Sequence, residues 1–130
     1  METIKIFFGS MATFFIYLVG GIDVALISLL IVMGLDYFTG ILKAIKKKKL
    51  NSKTGIYGII KKLGILCLVA LSVVIDHLTG ESGFIRTMVL YYLVANEGLS
   101  IIENLGEMDI LIPEVLKERL EQLKDKDGDW

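Results

Sequence analysis

Leu35-Asp36-Tyr37-Phe38-Thr39-Gly40-Ile41-Leu42-Lys43-Ala44-Ile45-Lys46-Lys47-Lys48-Lys49-Leu50 sets an aspartate inside an apolar run and then stops that run with a block of lysines. Extended back to Ile22, the apolar segment has about 21 residues, and ~20 helical residues cross a ~30 Å hydrocarbon core. Lysines flanking such a segment mark the cytoplasmic side of a membrane. The stretch therefore predicts a spanning helix, its direction, and the depth of one costly carboxylate.

The rest of the chain agrees with a membrane reading. Its 130 residues allow one domain, 54% of them are hydrophobic, and the mean hydropathy of +0.65 exceeds the soluble range. The net charge is only −1, but the charges are segregated. Between Lys43 and Lys62 lie eight lysines and no acid, whereas residues 103–130 carry nine acids and four bases. The predicted fold is an all-α integral membrane protein with three or four transmembrane helices and a cytoplasmic amphipathic C-terminal helix. Residues 1–104 form the membrane-embedded helical domain and 105–130 a charged cytoplasmic tail.

Four apolar runs supply the helices. Ile4 to Val19 is about 16 residues, or ~24 Å of helix, short for a span, so it either crosses a locally thinned bilayer or lies at the interface. A cleaved signal peptide is the competing reading, but no small-x-small site precedes Gly21. Gly20-Gly21 breaks the chain before the second run, Ile22 to Leu42. The third run is Leu63 to Leu78, followed by the outer turn Glu81-Ser82-Gly83, and the fourth is Phe84 to Ile102. Residues 43–62 are expected to form a basic cytoplasmic loop in which Gly55 to Ile60 sits at the interface, anchored by Tyr57. Lys43, Lys46, Lys47, Lys48, Lys49, Lys61 and Lys62 set topology and read anionic headgroups at ~1 kcal/mol each. Nucleic acid is the rival partner for such a cluster and is not expected between two spans. In the tail, Leu116, Leu120 and Leu123 repeat with helical spacing after Pro113, giving either a solvated helix or one that docks on the loop or on another copy.

Soluble chemistry finds no support. Cys67 is the only cysteine and reads as an inert packing residue, and His77 is the only histidine, so no zinc cluster exists. There is no phosphate-binding glycine loop and no nucleophile elbow. No catalytic or cofactor-binding residue, metal, cofactor or small-molecule substrate is expected, and the chain is read as a non-enzyme.

What remains are polar residues inside apolar runs, each costing ~2.5–3.5 kcal/mol at a membrane centre. Counted from the charged boundaries, Asp36 lies ~10 Å and Glu97 ~9 Å inside the same surface. Thr39 shares the Asp36 face, while Asn96 and Ser100 lie beside Glu97. Asp36, Thr39, Asn96, Glu97 and Ser100 are therefore predicted to form a polar membrane seam. It acts either as interhelical hydrogen bonding or as a surface that water enters when copies assemble. Asp76 and His77 fall near the outer face, where headgroups satisfy them, and Arg86 is expected to snorkel outward.

Three blocks in this order carry a resemblance. They are Asp36 to Gly40 before the lysines, Gly55-Ile56-Tyr57-Gly58 before Lys61-Lys62, and Asn96-Glu97-Gly98-Leu99-Ser100 running to Asn104, with Ile112-Pro113-Glu114 opening the tail. Over nearly its whole length the chain resembles the phage-lysis and toxin-secretion holin family of Gram-positive bacteria and their prophages. The resemblance implies a homo-oligomer in the bacterial cytoplasmic membrane, multi-pass with its C-terminus cytoplasmic. It also implies lesions that release an endolysin or a secreted toxin. Two other classes fit the residues: a small membrane anchor or accessory subunit whose tail recruits a soluble partner, and a small ion channel using Asp36 and Glu97.

Overall fold

The computed structural model describes residues 1–128, with side chains through Lys124. Five helices follow one another, with no strand among the described residues: α1 (Glu2–Leu18), α2 (Val24–Lys46), α3 (Ser52–Thr79), α4 (Phe84–Gly106) and α5 (Glu114–Gly128). Their ends follow local chemistry. Asp23 caps α2 by accepting from the Leu26 amide at 3.0 Å, and Asn51 caps α3 by accepting from Thr54 at 2.8 Å. The first four helices close on a left-handed residue, with the next amide reaching back five positions, as from Gly21 to Ile16 and Glu81 to Asp76. Gly20 and Gly80 adopt that conformation freely, whereas α2 and α4 use Lys48 (φ 56°) and Asp109 (φ 65°) at a cost of about 1 kcal/mol.

Asn51 as a cap corrects the expected loop. Gly55 to Ile60, Lys61 and Lys62 belong to α3, and the connection is only residues 47–51. The Asn51 cap and the packing of Tyr37 against Gly55 and Gly58 offset the penalty of two helical glycines.

Helix α4 is the centre of the bundle, packed by α2 and α3. Arg86 at its start touches Asp23 at the start of α2, and Lys43 and Lys46 near the end of α2 pair with Glu107 and Asp109 beyond α4. These two helices therefore run parallel, and α3 runs back between their ends. Leu26, Leu29, Met33, Val69, Leu90 and Leu93 fill the joint core. Helix α5 turns back along α4 and seats Leu120 over Gly98, where a β-carbon would lie 2.7 Å from Leu120 Cδ2. The two dockings expected for the tail, on the loop or on another copy, are replaced here by docking on the chain's own α4. Helix α1 buries no residue.

The distribution of polarity is inverted relative to a soluble bundle. Among the described residues eight apolar side chains are buried, with seven polar or charged ones beside them, while thirty-five large hydrophobics are exposed. Helices α2 and α3 are long and apolar enough to cross a membrane, with mean hydropathies of 2.0 and 2.3. Cys67, read as a packing residue, instead lies exposed on α3, on this apolar outer surface.

Candidate functional site

Three helices meet around one ammonium group. Helix α2 contributes Asp36 and Thr39, three residues apart and on one face; α3 contributes Lys62; α4 contributes Glu97 and Asn104. Lys62 Nζ lies 2.5 Å from Asp36 Oδ2 and 2.6 Å from Glu97 Oε1. Asn104 Nδ2 donates to the other Asp36 oxygen at 3.2 Å and to Thr39 Oγ1 at 3.0 Å. The Thr39 hydroxyl in turn donates to the Leu35 carbonyl at 2.8 Å. Asp36, Thr39, Glu97 and Asn104 are all buried, with Glu97 only 3% exposed. A charge this deep persists only when paired and hydrogen-bonded, and here both carboxylates spend an oxygen on the same cation.

The structure thus brings Asp36, Thr39 and Glu97 together, with Ser100 beside the Asp36 carboxylate on a cavity wall. Asn96 is different: half-buried on the next face of α4, it makes no side-chain hydrogen bond among the described residues. Lys62 corrects the headgroup role read for it, because its ammonium points into the bundle rather than toward the surface. Asn104 was passed over, although its spacing of seven from Glu97 would have set it on the same face of a helix extended beyond Ile102.

The remaining lysines divide by partner. Lys43 and Lys47 share Glu107 at 3.0 and 3.4 Å, and Lys46 pairs with Asp109 at 3.0 Å. The Lys43 ammonium beside Glu107 holds that carboxyl below the usual range. Lys48, Lys49 and Lys61 are exposed and make no ion pair among the described residues.

A second polar knot closes the opposite end. Arg86 Nη1 lies 2.7 Å from Asp23 Oδ2, Nε donates to the Val19 carbonyl at 2.6 Å, and Nη2 to the Gly21 carbonyl at 2.9 Å. The guanidinium lowers the Asp23 carboxyl against the opposing effect of partial burial. A side chain at Gly20 would strike Arg86 Nε at 2.6 Å, so the glycine is required by contact as well as by its φ of +84°. Asp76 accepts from the Ile85 and Arg86 amides, both at 2.9 Å, and so caps α4 from the neighbouring helix. Neither Arg86 nor Asp76 reaches outward to headgroups as expected; both are buried and bonded to backbone.

An apolar exterior, charged groups buried beside an apolar core and two helices of spanning length are those of a small helical membrane protein. The chain belongs to the bacteriophage holin family, whose profile matches residues 13–125. Membership supports a general lysis or pore-forming role. Similar proteins include an uncharacterized 14.9 kDa protein in the nagH 3' region of Clostridium perfringens, 41% identical over 118 residues, covering 90% of this chain and 89% of that one. The Bacillus subtilis protein YqxH is 36% identical over 112 residues, covering 85% and 79% of the two chains. A probable holin of Bacillus phage phi105 is 34% identical over 105 residues, covering 80% and 76%. No solved structure matches the chain.

Proposed function

We propose that the protein is a non-enzymatic holin of the bacterial cytoplasmic membrane, which assembles with copies of itself and opens lesions that let an endolysin or a toxin pass. Helices α2, α3 and α4 cross the bilayer, the 47–51 turn and the C-terminus face the cytoplasm, and α1 is either a fourth span or an interfacial helix. The observation that carries the reading is the inverted polarity of the bundle. Thirty-five large hydrophobics face outward, and the Asp36–Lys62–Glu97 cluster lies between the helices, with Asp36 and Lys62 on the wall of a cavity. Within one copy the cluster ties three helices together. In an assembly, α2 and α4 turned toward other copies give it a watered wall. The similarity to the probable holin of phage phi105 favours this over a simple anchor.

Regulated expression in a non-lytic host, with and without a co-expressed endolysin, separates the readings. A holin leaves the membrane potential intact, then collapses it abruptly after a delay, and the cells lyse when endolysin is present. Leakage of ions from the start of expression would identify a channel. An anchor would produce neither event.

A further inference from the structure

A cavity of about 650 Å³ separates α2 from α3 at the lysine-bearing end of the bundle. Tyr37 props it open: its ring lies against Gly58, where a β-carbon would meet it at 3.1 Å, and its hydroxyl donates to the Gly55 carbonyl at 3.1 Å. With Gly55 and Gly58 on one wall and Gly40 and Ala44 on the other, no side chain fills the gap. Ile41 and Leu50 make part of the lining apolar.

The polar lining has an unbalanced charge. Five lysines border the cavity: Lys43, Lys47, Lys49, Lys61 and Lys62. Lys62 is taken up by Asp36 and Glu97, and Lys43 and Lys47 share the single carboxylate of Glu107. Lys49 and Lys61 have no acidic partner among the described residues. The five lysines and their three carboxylates leave two positive charges at the mouth of a partly apolar slot.

We infer that this cavity is a discrete binding site for one anionic phospholipid, its phosphate between Lys49 and Lys61 and its acyl chains leaving between α2 and α3. The inference rests on the membrane placement proposed above. Basic pockets between spanning helices on the cytoplasmic side suit phosphate headgroups, whereas a surface lysine run attracts anionic lipid without holding any one molecule. A bare phosphate uses the two ammoniums but not the apolar lining, so the cavity fits a lipid better than a soluble anion.

The full chain is reconstituted in phosphatidylcholine nanodiscs containing a minor fraction of phosphatidylglycerol, extracted gently, and weighed intact by native mass spectrometry. Retention of one phosphatidylglycerol is expected. At about fivefold per lysine, Lys49→Gln with Lys61→Gln should weaken retention about 25-fold. Lys48→Gln with Lys53→Gln removes the same charge from the same surface without touching the cavity, and should change retention less than about twofold. Equal losses from both pairs would reduce the site to diffuse surface attraction and overturn the inference. So would equal retention of phosphatidylcholine. Displacement of the lipid by millimolar inorganic phosphate would show that the lysines read a soluble anion, and the lipid assignment would fall. The readout does not involve lysis, so a protein that binds the lipid but never collapses the potential fails the holin reading alone. A protein that cannot be recovered in the bilayer fails the membrane placement itself.

Discussion

Lys61 and Lys62 are neighbours in sequence and opposites in structure. One faces outward with no acidic partner; the other holds two buried carboxylates. Lys62→Gln leaves Asp36 and Glu97 facing each other without a cation, and breaking a buried pair in this way costs about 3–5 kcal/mol. Thermal unfolding of the full chain in detergent should show a large drop for Lys62→Gln and almost none for Lys61→Gln; equal drops would remove the cluster as the tie between helices. Asp36 tests the same cluster from the other side. Asp36→Asn keeps one acceptor oxygen, enough for Lys62 but not also for the Asn104 amide, and should still oligomerise on a crosslinked gel, whereas Asp36→Leu, which removes both acceptors, should lose about 1–2 kcal/mol of association. Normal assembly together with altered lysis timing in Asp36→Asn would assign the charge itself to opening. At the rim, Glu107 has a carboxyl lowered by Lys43, so its contribution is present above the ordinary carboxylate range and is lost as pH falls through the lowered value. Acidification well below the ordinary carboxylate range should release Lys43 and Lys47 from Glu107, read as faster amide exchange near those two lysines. Asp36 and Glu97 were legible in the sequence because an ionisable group in an apolar run stands out, and counting residues gives its depth. Lys62 and Asn104 were hidden because they sit among other polar residues. Sequence position fixes height along a helix, but which lysine turns inward depends on rotation against partners.

Among the elements, the helices were legible from apolar length, two of them with the length and hydropathy of a span, and their ends were less so. Helix α3 begins at Ser52 because Asn51 caps it, eleven residues before the apolar run that announced it. The expected loop takes in residues 55–60, yet the glycines at 55 and 58 lie within the helix and admit the Tyr37 ring. Arg86 was misplaced for a related reason: besides Asp23, its partners are carbonyls of the 19–21 turn, and no pattern of residue types records a backbone acceptor. Helix α5 shows a similar limit. Its leucine spacing predicted an apolar stripe, but the receptor for that stripe is Gly98, recognisable only once α4 and α5 are side by side. Gly98→Ala meets the flexible end of Leu120 and should shift it with little loss. Gly98→Leu fills the whole notch and should unseat α5 while leaving the Lys62 cluster intact. Hydrogen exchange over residues 114–124 should rise sharply in the second variant and little in the first; unchanged exchange in both would show that α5 is held elsewhere.

For the whole molecule, the docking of α5 on α4 and the proposed placement of α4 across a bilayer cannot both hold. Leu120 rests on Gly98 and Lys124 lies 5.7 Å from the Tyr92 ring centroid, so α5 runs back beside the middle of α4. It carries Lys117, Glu118, Arg119, Glu121 and Lys124. Such residues cost ~2.5–3.5 kcal/mol each at the centre of a bilayer, far more than one leucine in a notch returns. The docked form therefore suits a chain surrounded by water or detergent, and, on the proposed placement of α4 across the bilayer, insertion would drive α5 off toward the cytoplasmic surface. Release uncovers Gly98, a small residue that lets a second helix approach closely in lipid. Undocking would thus couple insertion to assembly. Cysteines at 98 and 120, in a Cys67→Ala background, report the contact directly, since replacing Leu120 clears the space a side chain at 98 needs. Oxidation should link them efficiently in detergent and poorly after reconstitution, while a soluble thiol reagent added on the cytoplasmic side labels position 120. Persistent linkage in the bilayer, with a separate single-cysteine variant Lys117→Cys still labelled from the cytoplasmic side, would contradict release. It would mean instead that α5 stays on α4 and faces water, which places the watered seam along the α4–α5 face rather than at Asp36.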